Sequence, residues 1–168
     1  MSGDSGITGG CQCGAVRYTV RKTNGRPGIC HCRMCQKAVG NYFAAFSGAA
    51  HIDDISVTRG AFASFVSSGT GERLFCANCG TPLAFRSTTE PLIWMMAGSL
   101  DDPTTLMPDH QSGGEARLPW LDAALRTPIS STEKSTNPQV AAYGLRQRPD
   151  NYQHPDHDTE EWPPAERK

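Results

Sequence analysis

No stretch of this 168-residue chain comes near the roughly 20 consecutive apolar residues that a membrane-spanning helix needs. Neither sign of charge is in surplus. Sixteen basic and 17 acidic residues leave a net charge of −1, without the basic field that nucleic acid or anionic membranes attract. The first ten residues are polar and glycine-rich, with no basic start and no apolar stretch. They do not read as a signal peptide, so a soluble, cytoplasmic protein is expected. Helical periodicity is scarce, confined to a turn after Cys32 and to residues 118–125. No Ser/His/Asp nucleophile system is visible. Cysteine is missing from everything beyond Cys79. Large apolar residues thin out after Thr127, where Pro128, Pro138, Pro149, Pro155, Pro163 and Pro164 punctuate a polar sequence that buries too little surface to offset its ordering entropy. The expected organisation is a flexible N-terminus at residues 1–8, one β-domain at 9–127, and a disordered or loosely packed tail at 128–168.

What is present is mostly strand. Val16, Tyr18 and Val20 alternate with Arg17 and Thr19, which predicts a half-buried strand over residues 15–20 with the arginine facing solvent. A loop through Asn24-Gly25-Arg26-Pro27-Gly28 follows. Further short strands are predicted at residues 42–46, 55–58, 63–66, 83–86 and 92–97, with turns at Gly69-Thr70-Gly71 and Ser87-Thr88-Thr89-Glu90. Short strands with frequent turns indicate a mainly β fold.

Seven cysteines, an odd number, argue against a fully paired disulfide framework. They are grouped: Cys11 and Cys13; Cys30, Cys32 and Cys35; Cys76 and Cys79. Gaps of one and two residues let a single turn supply two bonds to a tetrahedral zinc ion. Gly14 and Gly80 each follow a ligand turn, where a positive φ is often required. The spacing of Cys30, Cys32 and Cys35 does not follow the common ferredoxin runs, so zinc is favoured over an iron–sulfur cluster. Spacing leaves two divisions open. Cys11, Cys13, Cys76 and Cys79 can form a closed structural site, with Cys30, Cys32 and Cys35 holding a second zinc that has one position free. Alternatively, Cys32 and Cys35 can join Cys76 and Cys79 in a zinc ribbon.

Four blocks occur in order: Cys11-Gln12-Cys13-Gly14; Cys30-His31-Cys32-Arg33-Met34-Cys35-Gln36; Ser67-Ser68 leading to Arg73, Phe75, Cys76 and Cys79-Gly80; and Ala97-Gly98-Ser99-Leu100-Asp101-Asp102-Pro103. Together they resemble the glutathione-dependent formaldehyde-activating enzyme family, whose domain is shared with centromere protein V. The resemblance spans about residues 9–103, with a weaker echo at Pro119-Trp120. It implies a small zinc-bound β-tent of short antiparallel sheets and two Zn²⁺ per chain. The family pattern puts a structural zinc on Cys11, Cys13, Cys76 and Cys79 and a catalytic one on Cys30, Cys32 and Cys35. The implied activity is that of a carbon–sulfur lyase of the S-(hydroxymethyl)glutathione synthase type. Its partners would be a small thiol such as glutathione and an aldehyde such as formaldehyde, with no nucleic acid or membrane. A non-enzymatic zinc-bound module for a protein partner is the alternative. Residues Asp109-His110-Gln111-Ser112-Gly113-Gly114 depart from the family, being more polar and glycine-rich than the strand usual there.

His31 lies between two cysteines in an extended segment, so its side chain is expected to point away from the sulfurs and play a supporting part. Arg73 is a candidate for binding a substrate carboxylate through its fork of N–H groups. Ser67 and Ser68 read as turn formers, Met95 and Met96 as core, and His154 and His157 as tail residues without a site.

Overall fold

The computed structural model describes residues 6–131, 134–143 and 152–163. Its strands, in chain order, are β1 (Ile7–Gly10), β2 (Arg17–Val20), β3 (Gly28–Cys30), β4 (Ala44–His51), β5 (Ile55–Arg59), β6 (Ala63–Ser68), β7 (Gly71–Phe75), β8 (Pro82–Ser87), β9 (Leu92–Met96) and β10 (His110–Ser112). A short helix, α1 (Arg33–Val39), connects β3 to β4, another, α2 (Leu121–Leu125), follows β10, and single 3₁₀ turns punctuate the chain. The chain is mainly β, as its pattern predicts.

The strands make two sheets. A small one runs β1-β2-β5, and a larger one runs β10-β3-β4-β9-β8-β7-β6. Among the described residues all the strand pairs are antiparallel but one: β10 lies parallel to β3. An all-antiparallel tent is therefore corrected at that edge. The chain reaches β10 after a long irregular excursion, and a parallel neighbour needs such a connection.

The alternation around β2 does what it predicts for Val16, Tyr18 and Val20, all buried in the main core with Leu74, Leu83, Ala84, Ile93, Met95 and Leu100. It fails for Arg17, which is 2% exposed. Arg17 holds Asp101 through two N–H groups, at 2.8 and 2.5 Å, and Asp158 through Nε at 2.5 Å. Neither acid can be paired with Arg17 from sequence, since they lie 84 and 141 residues away.

β1 has few side chains to signal a strand. Its glycines answer a packing need: a Cβ on Gly9 would sit 2.5 Å from the Tyr18 hydroxyl, which bonds Ser99 Oγ at 2.7 Å. Ile7 and Thr8 are thus part of a sheet, where a flexible end is expected; residues 1–5 of that segment lie outside the described residues.

Within the tail, residues 152–163 make specific polar contacts with the domain, with His154 only 3% exposed. The segment lacks apolar anchors, as its composition says, but hydrogen bonds and one ion pair take their place. Pro149 and Pro164 fall outside the described residues. No described helix is long and apolar enough to cross a membrane.

Candidate metal centres

Folding gathers the cysteines into two groups. The sulfurs of Cys11, Cys13, Cys76 and Cys79 lie within 4.8 Å of one another, as do those of Cys30, Cys32 and Cys35. Cys32 and Cys35 do not join Cys76 and Cys79 in one group, so the ribbon pairing is not what the chain brings together.

In the first group Cys11 follows β1 and Cys13 sits in the tight turn before β2. The turn is closed by Cys11 N–H to Val16 O at 3.0 Å and Gly14 N–H to Cys11 O at 3.0 Å. Cys76 and Cys79 come from the turn between β7 and β8, closed by Gly80 N–H to Cys76 O at 2.9 Å. Gly14 and Gly80 have φ of 79° and 75°, the left-handed conformation their positions predict. Cys11 and Cys13 sulfurs are 3.5 Å apart and Cys13 and Cys76 sulfurs 3.9 Å apart. A disulfide needs about 2.05 Å. The edge of a tetrahedron with zinc–sulfur bonds of about 2.3 Å is about 3.8 Å, which these separations fit.

Hydrogen-bond donors aim at the sulfurs. Val16 N–H meets Cys11 at 3.2 Å, Asn78 Nδ2 meets Cys13 at 3.2 Å, and the Thr81 hydroxyl lies 3.1 Å from Cys79. Burial pushes the Cys11 thiol up to about 12 and outweighs its bond from Val16. At Cys79 burial also raises the value, but the hydroxyl and N–H of Thr81 overcome it and bring the thiol down to about 6. Thiols packed this closely do not all ionise without a positive charge among them. A soft-donor cation such as zinc is the charge this donor set suits.

The second group is local. Cys30 ends β3, and the Cys32 sulfur accepts the Cys35 N–H at 3.4 Å as the cap of α1, which is closed at Gly40 by a left-handed residue with φ 63°. These cysteines border a small satellite core with Ala44, Phe46 and Met96. Burial pushes the Cys35 thiol up to about 12, against an opposing hydrogen bond from Arg73. Cys30 is lowered: burial acts upward, but the Cys32 N–H and the Ser112 hydroxyl prevail.

A cavity of about 320 Å³ opens on this group alone, walled by Phe46, Phe85 and Trp94 and reaching Arg73, His110 and Ser112. Arg73 Nη2 is 3.5 Å from the Cys35 sulfur, and the guanidinium carbon stands 4.7 Å over the Phe85 ring. Its Nε and Nη1 are buried with no hydrogen-bond partner. Buried N–H groups rarely stay unsatisfied, so this fork has donors to spare for an anion.

His31 is buried, bonds Gln111 Oε1 through Nε2 at 2.7 Å and belongs to neither thiol group. Ser67 and Ser68 behave as turn formers, bonding Gly71 O and the Thr70 N–H. Met95 and Met96 are core, as expected. Sequence reasoning missed Gln36, which ties the cysteine loop to the His31 and Ala116 carbonyls at 2.8 and 3.0 Å. Its place directly after Cys35 in the second motif is the signal that could have found it. The departing segment 109–114 supplies β10 to the cavity rim, and Gly113 approaches the Cys32 backbone so closely that a Cβ would sit 2.6 Å from its nitrogen.

A β chain with two cysteine groups, each able to hold a metal ion, is a candidate metalloprotein; Cys30, Cys32 and Cys35 all line the 320 Å³ cavity, whereas from the four-cysteine group Cys11 lines a smaller one of about 130 Å³. Residues 6–112 match the model of the glutathione-dependent formaldehyde-activating enzyme family, and the chain belongs to that family. It is similar to an uncharacterised lyase of Schizosaccharomyces pombe, at 32% identity over 80 residues, covering 48% of this chain and 57% of that protein. A Halomonas elongata protein bearing the family's name is 27% identical over 112 residues, 62% of this chain and 71% of the relative. A crystal structure of a Rhodobacter sphaeroides protein superposes with a TM-score of 0.52 at 26% identity, covering 62% of this chain and 99% of that one.

Proposed function

We propose that the chain is a zinc-dependent carbon–sulfur lyase of the S-(hydroxymethyl)glutathione synthase type, holding two Zn²⁺ and working in the reducing cytoplasm. Its substrates would be a small thiol such as glutathione and an aldehyde such as formaldehyde. The observation that carries this reading is the cavity, which opens on Cys30, Cys32 and Cys35 and is lined by none of Cys11, Cys13, Cys76 and Cys79. Four thiolates complete a tetrahedral ion, whereas three leave one position for an exchangeable ligand. A zinc ion held by the three would supply acidity, lowering an incoming thiol from its free pKa of about 8.5 so that thiolate is available at neutral pH.

The chain's own residues bind and orient. Arg73, its guanidinium carbon over the Phe85 ring, offers its unpartnered N–H groups to a substrate carboxylate and thereby fixes the thiol relative to Cys35. Phe46, Phe85 and Trp94 give the cavity apolar walls that exclude water from the sulfur. In the addition direction a carbon–sulfur bond forms at the aldehyde carbon, and the proton lost by the thiol ends on the former carbonyl oxygen. The lyase direction is the reverse.

The test is metal analysis followed by thiol titration of the cobalt-substituted protein. Glutathione should intensify sulfur-to-cobalt bands, formaldehyde should reverse the change, and Cys32→Ser should abolish it while the other site's spectrum persists. If millimolar thiols leave both metals untouched, the reading fails and the family fold serves here as a binding module.

A further inference from the structure

The four-cysteine group is enclosed on one side by a segment that the family match does not cover. We infer that residues 152–163 form a strap that locks the Cys11-Gln12-Cys13-Gly14 turn and retains the metal of the four-cysteine group. This rests on that group holding a metal, as proposed above, and goes beyond it by giving the tail a function.

Three successive carbonyls of the turn are engaged. Gln12 O accepts the His154 N–H at 2.7 Å, Cys13 O accepts the Trp162 indole N–H at 2.7 Å, and Gly14 O accepts Arg59 Nη1 at 3.2 Å. Arg59 is itself bound by the strap, since its Nη2 donates to Thr159 O. The His154 ring lies so close over Gly14 that a Cβ there would be 2.0 Å from the ring. His154 Nδ1 pairs with Pro155 O at 2.7 Å, which holds the ring in that plane. Asp158 closes the far side through its 2.5 Å ion pair with the buried Arg17.

The two halves of the site differ in what else holds them. The turn carrying Cys76 and Cys79 is the end of a hairpin inside the large sheet, where the β7–β8 ladder keeps it rigid. The turn carrying Cys11 and Cys13 ends the short β1–β2 hairpin at the edge of a three-stranded sheet. A chelator removes a metal by capturing it as ligands swing away, so the less supported turn is the one whose opening controls release. The strap is placed on that turn.

The experiment measures zinc release from the full-length protein to an excess of a chromophoric chelator. The phase belonging to the four-cysteine group is identified as the one that survives in Cys32→Ser. Trp162→Phe removes one donor and keeps a ring, and Asp158→Asn removes the ion pair. Both residues are exposed, and in Asp158→Asn the buried Arg17 keeps its ion pair with Asp101, so neither change threatens folding. Each substitution should speed release from the four-cysteine group by about threefold to tenfold, multiplying in the double variant, with the other phase unchanged. Equal acceleration of both phases would make the strap a general support of the fold and overturn the inference, as would unchanged release. A wild-type protein with no metal at the four-cysteine group would overturn the metal reading itself, before any variant is made.

Discussion

The two cysteine groups use the same atoms to different ends, and chain separation accounts for most of the difference. Cys13 and Cys76 are 63 residues apart, so a metal shared between their turns closes a long loop and staples the small sheet to the large one. Cys30, Cys32 and Cys35 span the end of β3 and the start of α1, six consecutive residues, so a metal there joins nothing that the backbone does not already join. Burial separates them less than surroundings do: each group mixes buried and half-buried thiols, but the long-range group packs into the main core while the local one borders a satellite core and contributes all three cysteines to the larger cavity. The long-range group is suited to structure and the local one to exchange.

The largest effect that separates them is on folding itself. Cys76→Ser should remove a metal contribution on the order of 10 kcal/mol and abolish the cooperative thermal transition. A normal melt in this variant would break the distinction. Next in size is the arginine that ties the small sheet to the four-cysteine side. Arg17→Met leaves the half-buried Asp101 without its cation and should cost about 3 kcal/mol, read as a fall in the urea midpoint. This pair also has a pH signature. Burial acts to raise the Asp101 carboxyl, but the hydrogen bonds from Arg17 and Thr8 prevail and hold it below its ordinary value. A carboxyl depressed in the folded state stabilises above its unfolded pKa of about 3.9, and that stability is lost as pH falls through the folded value. Wild-type stability should therefore drop on acidification below about pH 4, and Arg17→Met should flatten that part of the profile.

Cys32→Ser should behave differently from Cys76→Ser, losing one metal ion per chain while still melting cooperatively, with a destabilisation of about 1–3 kcal/mol. Mass spectrometry under native conditions, set beside a melt, checks both halves of that statement. If it unfolded the chain, the local group would be structural too. The smallest expected effect sharpens the cavity's role. Arg73→Lys keeps the charge but loses the planar fork, so binding of a carboxylate-bearing thiol should weaken about tenfold while 2-mercaptoethanol is unaffected. Equal weakening of both thiols would show that Arg73 serves the Cys35 sulfur and not the substrate.

Local chemistry made much of this legible in the chain. Cysteine spacing marked the seven thiols as candidate metal ligands without dividing them, the glycines after Cys13 and Cys79 marked turns whose φ is indeed positive, and alternation marked the buried face of β2. Each of these depends on neighbours a few residues apart, and sequence displays such relations directly. Other features lie beyond its reach. β1 is hard to see because its glycines exist to admit the Tyr18 ring, which is a tertiary contact. Arg17 has the polarity of a solvent-facing residue and becomes buried because Asp101 and Asp158 arrive from distant parts of the chain to neutralise it.

Sequence by itself determined the mainly β character, the family, and which seven residues offer sulfur. Only the tertiary structure decided how the sulfurs divide, which group faces the cavity, that Arg73 reaches it with donors to spare, and that the tail returns to the Cys13 turn. Spacing restricts which residues can share an ion, but several divisions satisfy it equally. The choice among them is made by the sheets, whose ladders carry the β1–β2 and β7–β8 turns to one place and leave the β3–α1 loop at another.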